Sequence, residues 1–295
     1  MPQLFRNKYF LLLIISITWG SSFILIKKTL PVFDPFQIGA FRAGLSGLLL
    51  SGLGIPVLRR ISKRDLFWIG LSGLVGNFMV VFVFPIAQQG VSSSLAGIIN
   101  ALDPIFTLLL GALLFGIRNK LLQYFGAIIG FVGALVLVYS SGDESGNNHF
   151  YYTLLLIAGS ALYAVSALII EKKLNHIRSF DISVAIYTFW MLPALLVLIF
   201  SGFFTEIDYS STETLAALGN LVFLTIVSTT LVMFLFLYLI QTTSAVFAST
   251  ISLLIPVVSV IWGILDGEKM SIWYGIGAIL ILISVYLIRE KKGEV

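Results

Sequence analysis

The sequence predicts an all-α polytopic membrane protein: ten transmembrane helices arranged as two inverted five-helix repeats. Three observations carry this expectation. The chain of 295 residues is 58% hydrophobic and only 11% charged, with a mean hydropathy of +1.03. A soluble domain clothes its surface with charged residues at roughly a quarter of its positions, so something other than water covers this one, and a bilayer is the medium that fits. Apolar runs of spanning length follow one another along the chain, and the second half repeats polar positions of the first at a fixed offset.

A transmembrane helix needs roughly 20 mostly apolar residues, with a range of about 17 to 25. Ten runs meet that requirement: 9–29, 36–58, 66–88, 93–116, 121–140, 151–171, 181–202, 214–239, 244–265 and 271–289. The first follows Arg6 and Lys8 as a signal peptide would, but it is too long, and Trp19-Gly20-Ser21-Ser22-Phe23 offers no small-x-small cleavage site. The connector after the second is basic, Arg59-Arg60-Ile61-Ser62-Lys63-Arg64. The fourth holds Asn100-Ala101-Leu102-Asp103-Pro104 at its middle, and the fifth carries Gly126-x-x-x-Gly130-x-x-Gly133, a helix–helix contact within or between subunits. Gly142-Asp143-Glu144-Ser145-Gly146-Asn147-Asn148 then divides the chain. The expected domains are a first repeat at 1–140, an outer connector at 141–150 and a second repeat at 151–295.

Charge sets the orientation. With the N-terminus inside, 14 of the 18 Lys and Arg residues fall on the inner side, 3 (Lys27, Lys28 and Lys269) on the outer side, and Arg42 inside a span. Both termini are therefore expected in the cytoplasm of a cell-membrane protein. The pI near 9.2 follows from these clusters, which report topology and argue against a nucleic-acid partner. There is no cysteine, hence no disulfide or thiolate metal site, and both histidines, His149 and His176, fall in polar connectors.

Ser92, Ala96, Asn100, Pro104 and Gly111 recur as Ser244, Ala248, Ser252, Pro256 and Gly263, a constant offset of 152. Tyr9-x-Leu11-Leu12-Leu13-Ile14 is echoed by Tyr152-x-Leu154-Leu155-Leu156-Ile157. Halves of five spans each must face the membrane in opposite senses, the pattern of secondary transporters that bind substrate near the midplane. The small residues at Ser92, Ala96, Ser244 and Ala248 read as packing positions.

Several of these residues resemble a known family. Trp19-Gly20-Ser21-Ser22-Phe23, Phe41-Arg42, and the pattern of Pro256 followed by Gly267-Glu268 resemble the signatures of ten-helix EamA-type members of the drug/metabolite transporter superfamily, over nearly the whole chain. The resemblance implies a central cavity and movement of small metabolites, commonly amino acids. Two departures stand out. The first half has Gly116-Ile117-Arg118 where its own Gly-Glu is expected, and the first span lacks the embedded glutamate that related four-helix multidrug transporters use.

No Gly-x-x-x-x-Gly-Lys-Ser/Thr loop is present, so the energy source is an ion or substrate gradient, or there is none, and no cofactor is expected. Asp103 is the one carboxylate near mid-membrane and Arg42 the one deep cation, and proton coupling would run through Asp103. The two are expected to approach across a cavity or to bridge through Asn77 or Asn100. They either fix helix register, or Arg42 holds a substrate carboxylate while Asp103 answers an amino group or a proton. Asp34, Asp181, Asp266 and Glu268 lie at span ends, where a solvated role is expected. Among the aromatics, Trp19 is singled out because Gly20-Ser21-Ser22 would leave a pocket beside it; Tyr163, Tyr187, Trp190, Tyr238 and Trp262 read as lipid-facing or packing. Ser252, Gln88 and Gln89 are further candidates. Pro104 and Pro256 each free a carbonyl one turn earlier, at Asn100 and Ser252, and are candidate hinges.

The expected function is a secondary transporter moving a small polar metabolite, an amino acid or related compound, outward by alternating access. A channel is the alternative. An embedded enzyme would need His clusters, paired acids or a Ser–His pair within the spans, and the sequence offers none. Expected partners are the small-molecule substrate and the lipid bilayer; the chain is a monomer or a homo-oligomer.

Overall fold

The computed structural model describes residues 7–118, 120–141, 148–269 and 271–288. Regular structure among them is helical throughout: α1 (Lys8–Thr29), α2 (Pro35–Arg60), α3 (Lys63–Gly73), α4 (Val80–Ala87), α5 (Ser93–Ile99), α6 (Asp103–Phe115), α7 (Leu121–Ser141), α8 (Asn148–Lys173), α9 (Ser179–Phe200), α10 (Thr212–Phe223), α11 (Val232–Thr242), α12 (Ala245–Ser249), α13 (Ile255–Leu265) and α14 (Ile272–Ile288). Joined across short irregular stretches, these give eight segments long and apolar enough to cross a membrane, with Leu121–Leu137 and Ile272–Ile288 as shorter apolar helices. Each of the ten expected apolar runs overlaps one of these segments. The protein is a multi-pass membrane protein. Arg6, Arg289, Lys291, Lys292 and most of the acidic connector 142–148 lie outside the described residues.

Side chains at the helix starts do the capping. Asn7 accepts from the amides of Tyr9 and Phe10, and Asp34 forms a capping box with Gln37 ahead of Pro35. Ser62, Ser92, Ser211 and Ser244 cap α3, α5, α10 and α12 in the same way. Ser92 and Ser244, expected as packing residues, are thus N-caps, while Ala96 and Ala248 are fully buried. Asp34 is exposed and also caps its own helix start.

Four of the long segments are interrupted near their middles. Leu74–Phe78 and Leu224–Leu231 are π-helical, and Asn100–Leu102 and Thr250–Leu253 are 3₁₀ turns. The 3₁₀ turns correct the expected proline kinks. Pro104 and Pro256 sit in the first turns of new helices, α6 and α13, where a missing amide costs no bond. The Asn100 carbonyl that Pro104 would have freed accepts instead from the amide of Asp103.

Glycines set how closely the helices pack. A Cβ on Gly54 would lie 1.8 Å from Thr188 Oγ1, and one on Gly47 2.8 Å from the Tyr187 carbonyl, so α2 lies backbone to backbone on α9. Gly126 and Gly133 face Ser284 and Gly277 of α14, and Gly130 faces Ser284 and Ile105. The Gly126/Gly130/Gly133 stripe therefore packs within the subunit. The outer surface is apolar, with Leu121, Phe200 and Leu265 at 85%, 83% and 72% exposure, as a lipid-facing belt requires.

Candidate functional site

A partly enclosed cavity opens where the two 3₁₀ turns approach each other. Its wall includes Trp19 of α1, Arg42 of α2, Tyr163 of α8 and Phe236 of α11, with Asn100, Asp103 and Ser252 at the breaks. Backbone interrupted at this depth is tolerated only beside a polar cavity or within protein, and both breaks lie there.

Arg42 is only 8% exposed, and its Nε donates to Thr229 Oγ1 at 3.0 Å. Thr229 belongs to the π-helical stretch Leu224–Leu231. Its carbonyl accepts from the Tyr187 hydroxyl, while its hydroxyl also reaches the Leu224 carbonyl at 3.2 Å. Asp103 holds its Oδ2 toward Asn100 Nδ2 at 3.4 Å and Ser252 Oγ at 3.3 Å, with the Ser160 hydroxyl also in reach. Its Oδ1 is buried and takes no protein hydrogen bond.

Arg42 and Asp103 thus share one cavity, yet among the described residues they form no ion pair; each is held by hydroxyl and amide groups of its own surroundings. Tyr163 lines the same cavity as both. Asn77 is buried but absent from the cavity wall. Asn100 and Ser252 line the cavity and touch Asp103. Trp19 lines it too, donating from Nε1 to the Ser228 carbonyl at 2.9 Å, with its ring 4.8 Å from Phe236. The reason differs from the expected one. Gly20 leaves no space, since a Cβ there would lie 2.6 Å from Val258; only Ser22 of the small trio opens onto the cavity. Gln88 is buried away from the cavity with neither amide atom bonded, and Gln89 is exposed.

Sequence reasoning passed over Tyr163, Thr229 and Phe236. One signal was present: Ser228-Thr229-Thr230 is a run of three hydroxyl residues inside an apolar span. Thr230 also bonds Ser46 of α2 at 2.7 Å.

Two carboxylates expected to be solvated are tied down. Glu268, 5% exposed, accepts from Ser93 and Ser94 at the start of α5 and pairs with Lys27 at 2.9 Å. Asp266 pairs with Lys27 at 2.6 Å and with Lys28. Hydrogen bonds from the two lysines hold the Asp266 carboxyl below the usual range. Burial pushes Glu268 upward, but Ser94, Ser93 and Lys27 outweigh it and bring the carboxyl below its ordinary value. Among the described residues, no cluster of His, Cys, Asp or Glu could hold a metal ion.

The model of the EamA-like transporter family matches this chain twice, at residues 6–139 and 151–289. The chain belongs to the EamA-like transporter family. Among its relatives, YedA of Escherichia coli K12, an uncharacterized inner membrane transporter, is 28% identical over 290 residues, covering 93% of this chain and 90% of that one. An uncharacterized transporter of Archaeoglobus fulgidus is 26% identical, covering 97% and 100%. A probable amino-acid metabolite efflux pump of Salmonella typhimurium is 27% identical, covering 96% and 94%. A protein crystal structure superposes with a TM-score of 0.64 at 17% identity, covering 94% of both chains, a likeness of fold alone.

Proposed function

We propose that this EamA-family transporter is a secondary carrier for a small zwitterionic metabolite, an amino acid or related compound, which it exports by alternating access. One observation carries the proposal: a buried cation, Arg42, and a buried carboxyl group with one unbonded oxygen, Asp103, face a single cavity without pairing. Charges are costly at this depth unless something answers them. A substrate carboxylate at Arg42 and an amino group or proton at Asp103 would answer both. The name of the Salmonella relative, an amino-acid metabolite efflux pump, supports the substrate class and direction.

The architecture that goes with this reading has ten crossings. Residues 1–140 and 151–295 are two five-span halves of opposite sense about the outer connector 141–150, with both termini in the cytoplasm. The offset of 152 and the Lys and Arg asymmetry support it. Pro104 and Pro256, each just beyond a 3₁₀ turn, are the points about which the halves bend. A panel of amino acids in proteoliposomes, run with and without a pH gradient, tests the proposal. Uptake of at least one zwitterion should saturate. Uptake linear to high millimolar concentration would indicate a channel, and rates indifferent to the gradient for every substrate would remove proton coupling at Asp103.

A further inference from the structure

Along α1 the last residue lining the cavity is Ile26, and along α12 the first is Ala248. Immediately beyond each limit stands a carboxylate bonded to a helix start. Next to Ile26 is Lys27, paired with Glu268. Glu268 Oε1 accepts from the Ser93 amide at 3.0 Å and hydroxyl at 2.7 Å, and Oε2 from the Ser94 amide at 3.1 Å and hydroxyl at 2.5 Å. One turn from Ala248, the Ala245 amide donates to Glu171 Oε2 at 2.6 Å, while Glu171 Oε1 pairs with its neighbour Lys172 at 2.7 Å. The first contact joins α1, α5 and the end of α13; the second joins α8 and α12.

These contacts occupy related places. Gly116 and Gly267 close α6 and α13 with positive φ, 65° and 78°. The residue after each donates its amide back to a glycine, Ile117 to Gly111 at 3.1 Å and Glu268 to Gly263 at 2.9 Å. Gly111 and Gly263 are themselves 152 residues apart. Ile117 follows its positive-φ glycine as Glu268 follows Gly267, one residue short of the 152 spacing, but as an isoleucine it cannot cap α12. Glu171, from a different helix, does so.

We propose that Glu268 and Glu171 are the gate residues of the transport cycle, one at each mouth of the cavity, and that they open in turn. This rests on the carrier reading above. The two gates are unequal. Glu268, 5% exposed, holds four bonds from two serines and the Lys27 ammonium, whereas Glu171, 21% exposed, holds one amide and its neighbouring lysine. Charge-assisted bonds of this kind are the strong ones, more so when desolvated. The Glu171 mouth is therefore the one that opens in the resting protein.

The absence of native cysteine makes the test direct. Ser22→Cys places a single thiol in the cavity wall, and a separate Thr205→Cys protein, in the connector after α9, marks the membrane face of the Lys27 mouth. Labelling by an impermeant maleimide is timed from each face in oriented vesicles. The Ser22→Cys thiol should react faster from the Glu171 face. Adding Glu268→Gln should raise its rate from the Lys27 face at least tenfold, Glu268→Asp should restore a slow rate, and Glu171→Gln should accelerate only the other face. Should Glu268→Gln not fold, Lys27→Gln is expected to raise the same rate several-fold. A folded Glu268→Gln protein with its Lys27-face rate within twofold of the parent overturns the proposal, as does acceleration of the same face by both variants. Labelling needs no transport. Gates that open as described in a protein that moves no compound would refute the carrier reading alone; saturable transport with unchanged labelling would refute the gates alone.

Discussion

Asp103 is the residue at which stability and function part. Its carboxyl group is buried, its hydrogen bonds from Ser252 and Asn100 are long, at 3.3 and 3.4 Å, and Oδ1 has none. Neutralising such a group removes a desolvation cost and little bonding. Asp103→Asn is thus expected to leave the melting temperature unchanged or higher while transport of amino-group substrates falls at least tenfold; thermal denaturation beside proteoliposome uptake checks both. Glu268 behaves oppositely. Its carboxyl lies below the ordinary 4.5 because Ser94, Ser93 and Lys27 outweigh burial, and Asp266 lies below 3.8. The charged groups facing this pair are Lys27 and Lys28, which stay protonated through the acid range. The stabilisation is therefore complete above pH 4.5 and is lost as pH falls through the depressed values. Melting temperature should drop below about that pH, and Glu268→Gln should flatten the drop.

At the scale of elements, the close approach of α2 to α9 depends on hydrogen in place of a side chain. Gly54→Val would drive a branched side chain into Thr188 and the Val184 carbonyl, 3.0 Å from even a Cβ. Overpacking of this kind costs about 1–3 kcal/mol, to be read as a lowered melting temperature. Pro104→Ala allows α5 and α6 to join as one helix. Its expected effect is slower transport with substrate affinity within about twofold, since the proline is absent from the cavity wall. The helices themselves were legible, because a bilayer requires long apolar runs and leaves their ends to polar residues. The π-helical stretches were not. One extra residue per turn has no compositional signature, and it is what presents Thr229 to Arg42 and Tyr187. That Arg42 and Asp103 would line one cavity could be counted from their depth along two spans; that they form no ion pair with each other could not, because rotation about the helix axes is not readable from sequence. Trp19 was found through neighbours that in fact pack Gly20 against Val258.

For the whole molecule, carboxylate contacts on different helices flank one cavity, whose wall carries Arg42 and Asp103 without an ion pair between them. The Glu268 contact grew out of a motif visible in sequence, Gly267-Glu268, yet its partners Ser93 and Ser94 lie about 175 residues away in the chain and could not be read from it. The missing acid at Ile117 was visible too; that Glu171 takes over its task required the fold. The central claim is that the cavity binds and moves a zwitterion through Arg42. The most direct measurement is initial-rate uptake of the best panel substrate into proteoliposomes by the unaltered protein and by Arg42→Gln, at matched folded protein. Loss of a charge-assisted contact to a substrate carboxylate is expected to lower kcat/KM by roughly 30-fold or more, about 2 kcal/mol. Equal kcat/KM in the two proteins would contradict it.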